Sequence, residues 1–176
     1  MSASVKPLTL EEFLAWERQQ PLRYEFDGVQ PVAMTGGSPK HARMDARIII
    51  AAGTRLQPPC EVFSSVLKVV SATGRSRYSD VTIACGATDE DTDLIETVVV
   101  FEVTSPTTSL TDRWVKPVDY HSVPSIQVYV ILDQAEPLAE VFRRSEGWQP
   151  VTVQGRDAVI PLPEVGISLP LAELYR

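Results

Sequence analysis

The chain has 176 residues, enough for a single domain with its own buried core, so we expect residues 1–176 to form one domain. Hydrophobic residues make up 44% and charged residues 22%, which is typical of globular proteins, and no apolar run approaches the roughly 20 residues of a membrane helix. The net charge of −7 argues against a protein that coats nucleic acid with its whole surface, although a nuclease with acidic ligands and a local basic stripe remains possible.

The N-terminal part of the sequence indicates a helix followed by a β-hairpin. Thr9 is a suitable N-cap, Glu12 is placed to complete a capping box, and the helix is expected to end before Pro21. The segment LRYEFDG then alternates apolar and polar residues and turns at an Asp-Gly pair into VQPVAMT, as a hairpin does. The same alternation places Glu25 on the face opposite the apolar residues of its own strand.

A second helix is expected from Pro39 to Leu56, with Ser38 as its cap. Apolar residues recur at helical spacing along it, beside a basic stripe. The stripe consists of Arg43, Arg47 and Arg55. Because this is the clearest basic stripe in the chain, Arg43 and Arg47 are candidates for contact with phosphate groups.

The two cysteines, Cys60 and Cys85, lie beside or within apolar segments and lack CxxC spacing. We therefore expect two small buried thiols rather than a disulfide or a zinc site. The N-terminus also lacks the charged-then-apolar layout of a secretory signal, which predicts a cytoplasmic protein.

Three strand-like runs follow the second helix: CEVFSSVLKVVS, RYSDVTIACG and ETVVVFEVTS. The acidic segment with Asp89, Glu90, Asp91 and Asp93 is expected to be a solvated loop. A helix is expected within TSLTDRWVKPVDYHSV, mostly after Lys116, because Pro117 suits a first turn.

The C-terminal part predicts further strands. SIQVYVILD is apolar enough for a central strand, and the tail is expected to form a meander that closes one edge and ends in a short LAELY helix. This order of elements favours a mixed α+β or α/β fold over a doubly wound nucleotide-binding fold, and neither a GxGxxG nor a P-loop motif is present.

Two acidic residues on apolar runs are the main indication of chemistry. Asp80 lies in YSDVTIACG and Glu102 in TVVVFEVTS, where a carboxylate costs burial free energy unless a partner compensates, and a divalent cation is such a partner. Two acids from neighbouring strands would provide the oxygen ligands needed for metal-assisted phosphodiester hydrolysis. Strand alternation places Thr104 on the same face as Glu102.

A metal-dependent hydrolase usually also uses a lysine near the attacked phosphate. Lys116 and Lys68 could each reach such a site, and we prefer Lys116 because it follows Glu102 by one loop. Glu25 could be a third ligand or hold water, and His41 could donate to phosphate or act as an acid; exposed surface roles remain open for both. No serine or cysteine nucleophile is supported, and the low aromatic content argues against a two-carboxylate glycosidase.

Several segments together resemble the Uma2 family, also called domain of unknown function 820. They are LRYEFDGVQPVAM, PKHARMDARII, YSDVTIACG, VVVFEVTSPTTSLTDRWVKPVDYHSVPSIQVYVILD and GISLPLAELY. Uma2 proteins look like members of the PD-(D/E)XK restriction-endonuclease superfamily. The resemblance therefore implies a restriction-endonuclease-like central mixed sheet, flanked by helices and extended by antiparallel strands, with a magnesium-dependent nuclease site.

The resemblance also implies roles for particular residues. Asp80 and Glu102 match metal ligands, helped by the carbonyl group of Val103, and Lys116 matches a lysine displaced from its usual strand position. The other matched positions are Glu25 in the early YE-x-x-DG motif, His41 at the start of the second helix and Tyr120 after the lysine.

Ser79 and Pro117 depart from the family pattern, and Thr104 departs from the pattern of the wider superfamily. Ser79 replaces a proline before Asp80, Thr104 stands where other superfamily members carry the lysine, and Pro117 could redirect the side chain of Lys116.

The sequence thus predicts an endonuclease that uses Mg²⁺ or Mn²⁺ to cleave DNA. Because duplex cleavage needs two sites, a two-fold dimer is expected. The alternatives are a catalytically inactive member of the same fold that binds nucleic acid or protein, and a hydrolase of small molecules or nucleotides.

Overall fold

The computed structural model describes residues 7–34, 36–86, 96–104 and 111–176. The helices are α1 (Leu10–Glu17), α2 (Pro39–Gly53), α3 (Lys116–His121) and α4 (Leu171–Leu174), with a π-helical turn at Thr111–Val115 and 3₁₀ turns at Arg144–Glu146 and Pro163–Val165. The strands are β1 (Tyr24–Phe26), β2 (Pro31–Ala33), β3 (Cys60–Ser64), β4 (Lys68–Val70), β5 (Ser76–Tyr78), β6 (Val81–Cys85), β7 (Thr97–Thr104), β8 (Val128–Asp133), β9 (Leu138–Arg143), β10 (Pro150–Gln154), β11 (Val159–Leu162) and β12 (Ile167–Pro170).

A six-stranded sheet in the order β10-β9-β8-β7-β6-β3 forms the centre of the fold. Its strands β7 and β8 are parallel, whereas the other neighbours are antiparallel, so the predicted mixed sheet is confirmed. A four-stranded sheet (β2-β1-β5-β4) and a two-stranded sheet (β11-β12) complete the strands of the described residues.

The predicted helix starts are confirmed. Thr9 accepts a hydrogen bond from the backbone N–H of Glu12, and the Glu12 side chain accepts one from the backbone N–H of Thr9, so the capping box is complete. Ser38 accepts from the backbone N–H of His41 at the start of α2. This helix ends at Gly53, earlier than predicted, where the hydroxyl of Thr54 donates back to the carbonyl of Ile50.

Both faces of the central sheet are buried at its inner strands β6, β7 and β8. One face packs against α2 and α4 through a large apolar cluster that includes Val99, Phe101 and Val103 of β7. The alternate residue Val100 packs on the other face with Tyr120 of α3. Side chains of β7 therefore alternate between two cores, and Glu102 lies on the α3 face, as strand geometry requires.

Two predicted single strands are each divided between sheets, which corrects the sequence interpretation. RYSDVTIACG forms β5 in the four-stranded sheet and β6 in the central sheet, and CEVFSSVLKVVS forms β3 and β4 in the same way. Ser79 and Asp80 lie at the first crossing, so Asp80 occupies the junction of two sheets. Periodicity alone does not show at which residue a chain changes its hydrogen-bonding partners.

The prediction for the two cysteines was wrong, because Cys60 and Cys85 form a disulfide. They are directly opposite each other in the antiparallel pair β3–β6. Strand register places the two thiols together, and register cannot be read from the spacing of cysteines in the sequence.

The tail differs in part from the expected meander. Strands β9 and β10 do extend one edge of the central sheet, but β11 and β12 form a separate two-stranded sheet and contribute to the α2-side core. The acidic segment with Asp89, Glu90, Asp91 and Asp93 lies outside the described residues. Within the described ranges, no helix has the length and hydropathy needed to cross a membrane.

Candidate active site

Asp80 connects the central sheet to α2. One carboxylate oxygen, Oδ2, accepts a 2.7 Å hydrogen bond from the backbone N–H of Val103. The other, Oδ1, lies 3.0 Å from Nε2 of His41. Because the Asp80 side chain is still about one-fifth exposed, at 19%, a ligand from solvent can reach it.

His41 and Asp45 form a cluster with Asp80. Each of the three residues offers one ligand atom, and these atoms lie within 4.8 Å of one another. His41 and Asp45 are one helical turn apart on α2, with Nε2 and Oδ2 separated by 3.5 Å. Sequence reasoning missed Asp45, although its i,i+4 spacing from His41 was a usable signal.

Asp45 has an unusual electrostatic environment. Burial, and then the nearby negative charge of Asp80, raise the pKa of its carboxyl group to about 7, against the opposing influence of His41. Its Oδ1 atom is buried and has no hydrogen-bond partner among the described residues. Two crowded carboxylates with an unsatisfied oxygen are the kind of group that a cation stabilises.

Glu102 makes a second polar cluster on the α3 side of the sheet. Its Oε2 accepts a 2.8 Å hydrogen bond from Nζ of Lys116, and its Oε1 accepts a 2.6 Å bond from the hydroxyl of Tyr120. Glu102 is only 2% exposed, so the ion pair compensates a charge that burial would otherwise penalise. Burial, and then the charge of Glu102, raise the pKa of the Tyr120 hydroxyl well above its usual value.

Lys116 is the first residue of α3, as predicted, and Pro117 lies in the first turn of that helix. Pro117 does not turn Lys116 away from Glu102. The alternative lysine, Lys68, is buried in β4 and pairs with Glu17 of α1 at 2.9 Å. Of the two predicted lysines, Lys116 therefore contacts the candidate acid of β7, at 2.8 Å.

The two clusters lie next to each other where β6 and β7 pair. Val81 of β6 is opposite Phe101 of β7, so the next position along the antiparallel pair places Asp80 beside Glu102. Asp80 contacts His41 on α2, and Glu102 contacts Lys116 and Tyr120 on α3. Coordination of one ion by both acids and the carbonyl of Val103 stays a prediction.

Glu25 belongs to an ion-pair network next to this site. Its Oε2 accepts from Nη1 of Arg77 at 3.0 Å, and its Oε1 accepts from the backbone N–H of Tyr78. Arg77 also donates to the fully buried Asp119. Burial lowers the pKa of Arg77, but its bonds and charge interactions with Asp119 and Glu25 outweigh this and raise it overall. Glu25 thus holds Arg77 in place, and a role as metal ligand stays a prediction.

The two arginines proposed for phosphate contact have different surroundings. Arg47 donates to the carbonyl groups of Leu174 and Arg176, at 3.0 and 2.8 Å, and so fastens the C-terminal segment to α2. Arg43 is exposed and makes no ion pair within the described ranges.

The fold is shared with a solved nuclease-like protein. A crystal structure from Anabaena variabilis, described as "a putative nuclease belonging to DUF820", matches with a TM-score of 0.75 over 96% of this chain and 98% of that chain. The two sequences are 16% identical, so this match establishes the fold alone.

Sequence comparison then identifies the family. The model for Uma2, described as "Putative restriction endonuclease", matches residues 10–172, and this chain therefore belongs to the Uma2 family. The uncharacterized protein slr1290 of Synechocystis sp. is 28% identical over 181 residues, which cover 99% of this chain and 95% of that protein.

Proposed function

We propose that this protein is a metal-dependent endonuclease that hydrolyses phosphodiester bonds in DNA. The observation that carries the proposal is the buried, unpartnered Oδ1 of Asp45 beside the carboxylate of Asp80, within the described part of the chain. An arrangement of this kind is unfavourable in the absence of a cation and becomes favourable when one binds. Membership of a family described as "Putative restriction endonuclease" supports the same activity.

The donor atoms fit a divalent cation. Asp80, Asp45 and His41 would hold the ion, and two carboxylates with one imidazole suit Mn²⁺ at least as well as Mg²⁺. When bound, such an ion supplies Lewis acidity toward a phosphodiester oxygen and lowers the pKa of coordinated water. The other ligand set, which the family resemblance suggests, would be Asp80 with Glu102 and the carbonyl of Val103.

Residues of α3 would act on the substrate. Lys116 is 13% exposed and has its ammonium group beside Glu102, where it would contact a phosphate bound near the end of β7. Glu102 and Tyr120 position this lysine. In the proposal, Lys116 is the catalytic cation, and Glu102 has both oxygens engaged until substrate or metal binds.

Metal-linked stabilisation tests the ligand set. Because a bound ion stabilises the folded state, Mn²⁺ is expected to raise the melting temperature of the wild type. Asp80→Asn should abolish the shift and Asp45→Asn should weaken it, whereas Asp157→Asn, a matched change at an exposed turn, should preserve it. Absence of a shift in the wild type, or an unchanged shift in Asp80→Asn, would reject this metal centre.

Cleavage of plasmid DNA tests the activity. The wild type should nick DNA with Mg²⁺ or Mn²⁺, and Lys116→Met should lose at least about a hundredfold in rate while it retains the Mn²⁺-dependent thermal shift. Equal cleavage by the Asp80→Asn/Glu102→Gln double variant would show that the activity comes from a contaminant. In the thermal-shift assay, comparison of the variants His41→Ala and Glu102→Gln separates the two proposed ligand sets, because each variant removes a ligand from one set.

The second candidate function is a catalytically inactive module that binds nucleic acid. It is favoured by the engagement of both Glu102 oxygens with Lys116 and Tyr120, which leaves this acid satisfied without metal. DNA binding without metal-dependent cleavage would support it. We also propose a cytoplasmic homodimer, since duplex cleavage needs two sites, and light scattering of the purified protein tests the dimer.

A further inference from the structure

A strongly basic cavity lies near the candidate active site, on the other side of helix α2. Its volume is about 460 Å³. The basic residues around it are Lys40, Arg43, Arg47, Arg156 and Arg176, and its remaining lining comes from Met44, the 134–137 turn and Tyr175. Glu136 is the single acidic side chain of this lining. Such a concentration of positive charge is unexpected in a chain whose net charge is −7.

The cations of this cavity are available to a ligand. Among the described residues, the side chains of Lys40, Arg43 and Arg156 have neither an ion pair nor a hydrogen bond to a protein acceptor, and all three are exposed. They come from two separate elements, α2 and the turn between β10 and β11. Mutual repulsion of these charges is unfavourable, and an anion between them would relieve it.

The wall of the cavity is well fixed by hydrogen bonds. Asp133 Oδ1 accepts from the backbone N–H groups of Ala135 and Glu136, which shapes the turn after β8. The hydroxyl of Tyr175 donates to the carbonyl of Asp133 at 2.6 Å. Arg47 holds the carbonyl groups of the C-terminal segment. The cavity is therefore preorganised, which reduces the entropic cost of binding.

Helix α2 carries both the cavity and the metal-type cluster. Lys40 and His41 are adjacent in its first turn, and the basic row from Lys40 to Arg47 runs about 10 Å along the helix at 1.5 Å per residue. Arg43 and Asp45 lie on opposite sides of the buried stripe of α2. Because Lys40 of the cavity is adjacent to His41 of the cluster, one extended ligand that passes the N-terminal end of α2 can contact both.

We propose that this cavity binds the phosphodiester backbone of a nucleic-acid strand and holds it next to the His41–Asp45–Asp80 cluster. The proposal rests on the proposed function, since it assigns the path of the substrate. Lys40, Arg43 and Arg156 would contact phosphate oxygens, whereas Arg47 would mainly maintain the wall. Contacts of this kind position the backbone without reading base sequence.

Binding of a labelled DNA duplex to the full chain in EDTA, followed by fluorescence anisotropy at several salt concentrations, tests the proposal. Arg43→Glu and Arg156→Glu should each raise Kd about tenfold and reduce the slope of log K against log salt by about one. Arg18→Glu, which changes the net charge equally at an exposed site on the C-terminal side of α1, should stay within about twofold of the wild type. Melting temperatures confirm that each variant is folded.

The possible results are distinguishable. Wild-type DNA affinity in both Arg43→Glu and Arg156→Glu would overturn the proposal, as would an equal loss in Arg18→Glu. Calorimetry with inorganic phosphate tests for a site that binds small phosphates. If Arg43→Glu weakens the binding of inorganic phosphate but not of DNA, the cavity is such a site and the proposal is overturned. Because EDTA removes the metal, a protein that binds DNA here but never cleaves it would reject the nuclease and retain the backbone site.

Discussion

The backbone N–H of Val103 donates a 2.7 Å hydrogen bond to the carboxylate of Asp80. Val103 directly follows Glu102, and Asp80 also lies 3.0 Å from His41, so this bond joins the α2 cluster to the strand that carries the second acid. This donor belongs to the backbone, so it is present whichever side chain other than proline occupies position 103. The position of Asp80 is therefore set by the central sheet itself, not only by neighbouring side chains.

Removal of the Tyr120 hydroxyl should destabilise the protein. Tyr120→Phe leaves the buried Oε1 of Glu102 without its 2.6 Å donor, and we expect a loss of about 1–3 kcal/mol in the free energy of unfolding, measured with urea. Tyr24→Phe is the matched control, because the Tyr24 ring packs on Trp16 and its hydroxyl has no hydrogen bond among the described residues. Equal effects of the two changes would contradict this account.

The buried pair of Lys68 and Glu17 should behave as one unit. Lys68→Met leaves a carboxylate buried without its cation and should cost about 3–5 kcal/mol in unfolding free energy. The double variant Lys68→Met/Glu17→Gln should lose less than the sum of the single variants, since the glutamine can still accept from the Tyr78 hydroxyl. Additive losses in a double-mutant cycle would show that the two side chains are not coupled.

Reduction of the Cys60–Cys85 bond should lower stability without changing the fold. The bond closes a loop with a sequence separation of 25, and the loss of this constraint on the unfolded chain is worth about 3 kcal/mol. Urea unfolding with and without reductant measures it, and alkylation counts the thiols. In the Cys60→Ser/Cys85→Ser variant, reductant should have no further effect; a shift there would have another cause.

His121 should make the protein sensitive to acid. Burial, and then the charge of Arg144, lower its pKa to about 4, and its ring stacks on Trp148 at 4.0 Å. In the unfolded chain, His121 binds a proton below its ordinary pKa of 6.5, whereas in the folded protein it binds one only below a pH of about 4. Stability is therefore lost as the pH falls from 6.5 toward 4.

The variant His121→Phe tests this pH dependence, because it keeps a ring beside Trp148 and removes the titrating group. Its unfolding free energy between pH 4.5 and 6 should vary less steeply than that of the wild type, by up to about one proton per molecule. Parallel curves for the two proteins would mean that His121 titrates normally.

Local sequence signals account for much of the fold. The capping residues Thr9 and Ser38, the proline at the start of α3 and the alternation around Glu102 act between near neighbours, and the structure reproduces each of them. The placement of Lys116 at a helix start also followed from a single proline. Such features depend on backbone geometry over a few residues, so the amino-acid order is sufficient to specify them.

The contacts between residues distant in the sequence could be identified only from the folded structure. Asp80 meets His41 across α2 and the sheet, Cys60 meets Cys85 through strand register, and Lys68 is withdrawn into a pair with Glu17. Each pairing depends on which strands are neighbours and on how a helix lies across them, and many registers fit the same apolar pattern. For this reason the sequence alone indicates which acids are unusual, whereas tertiary packing determines which residues they contact.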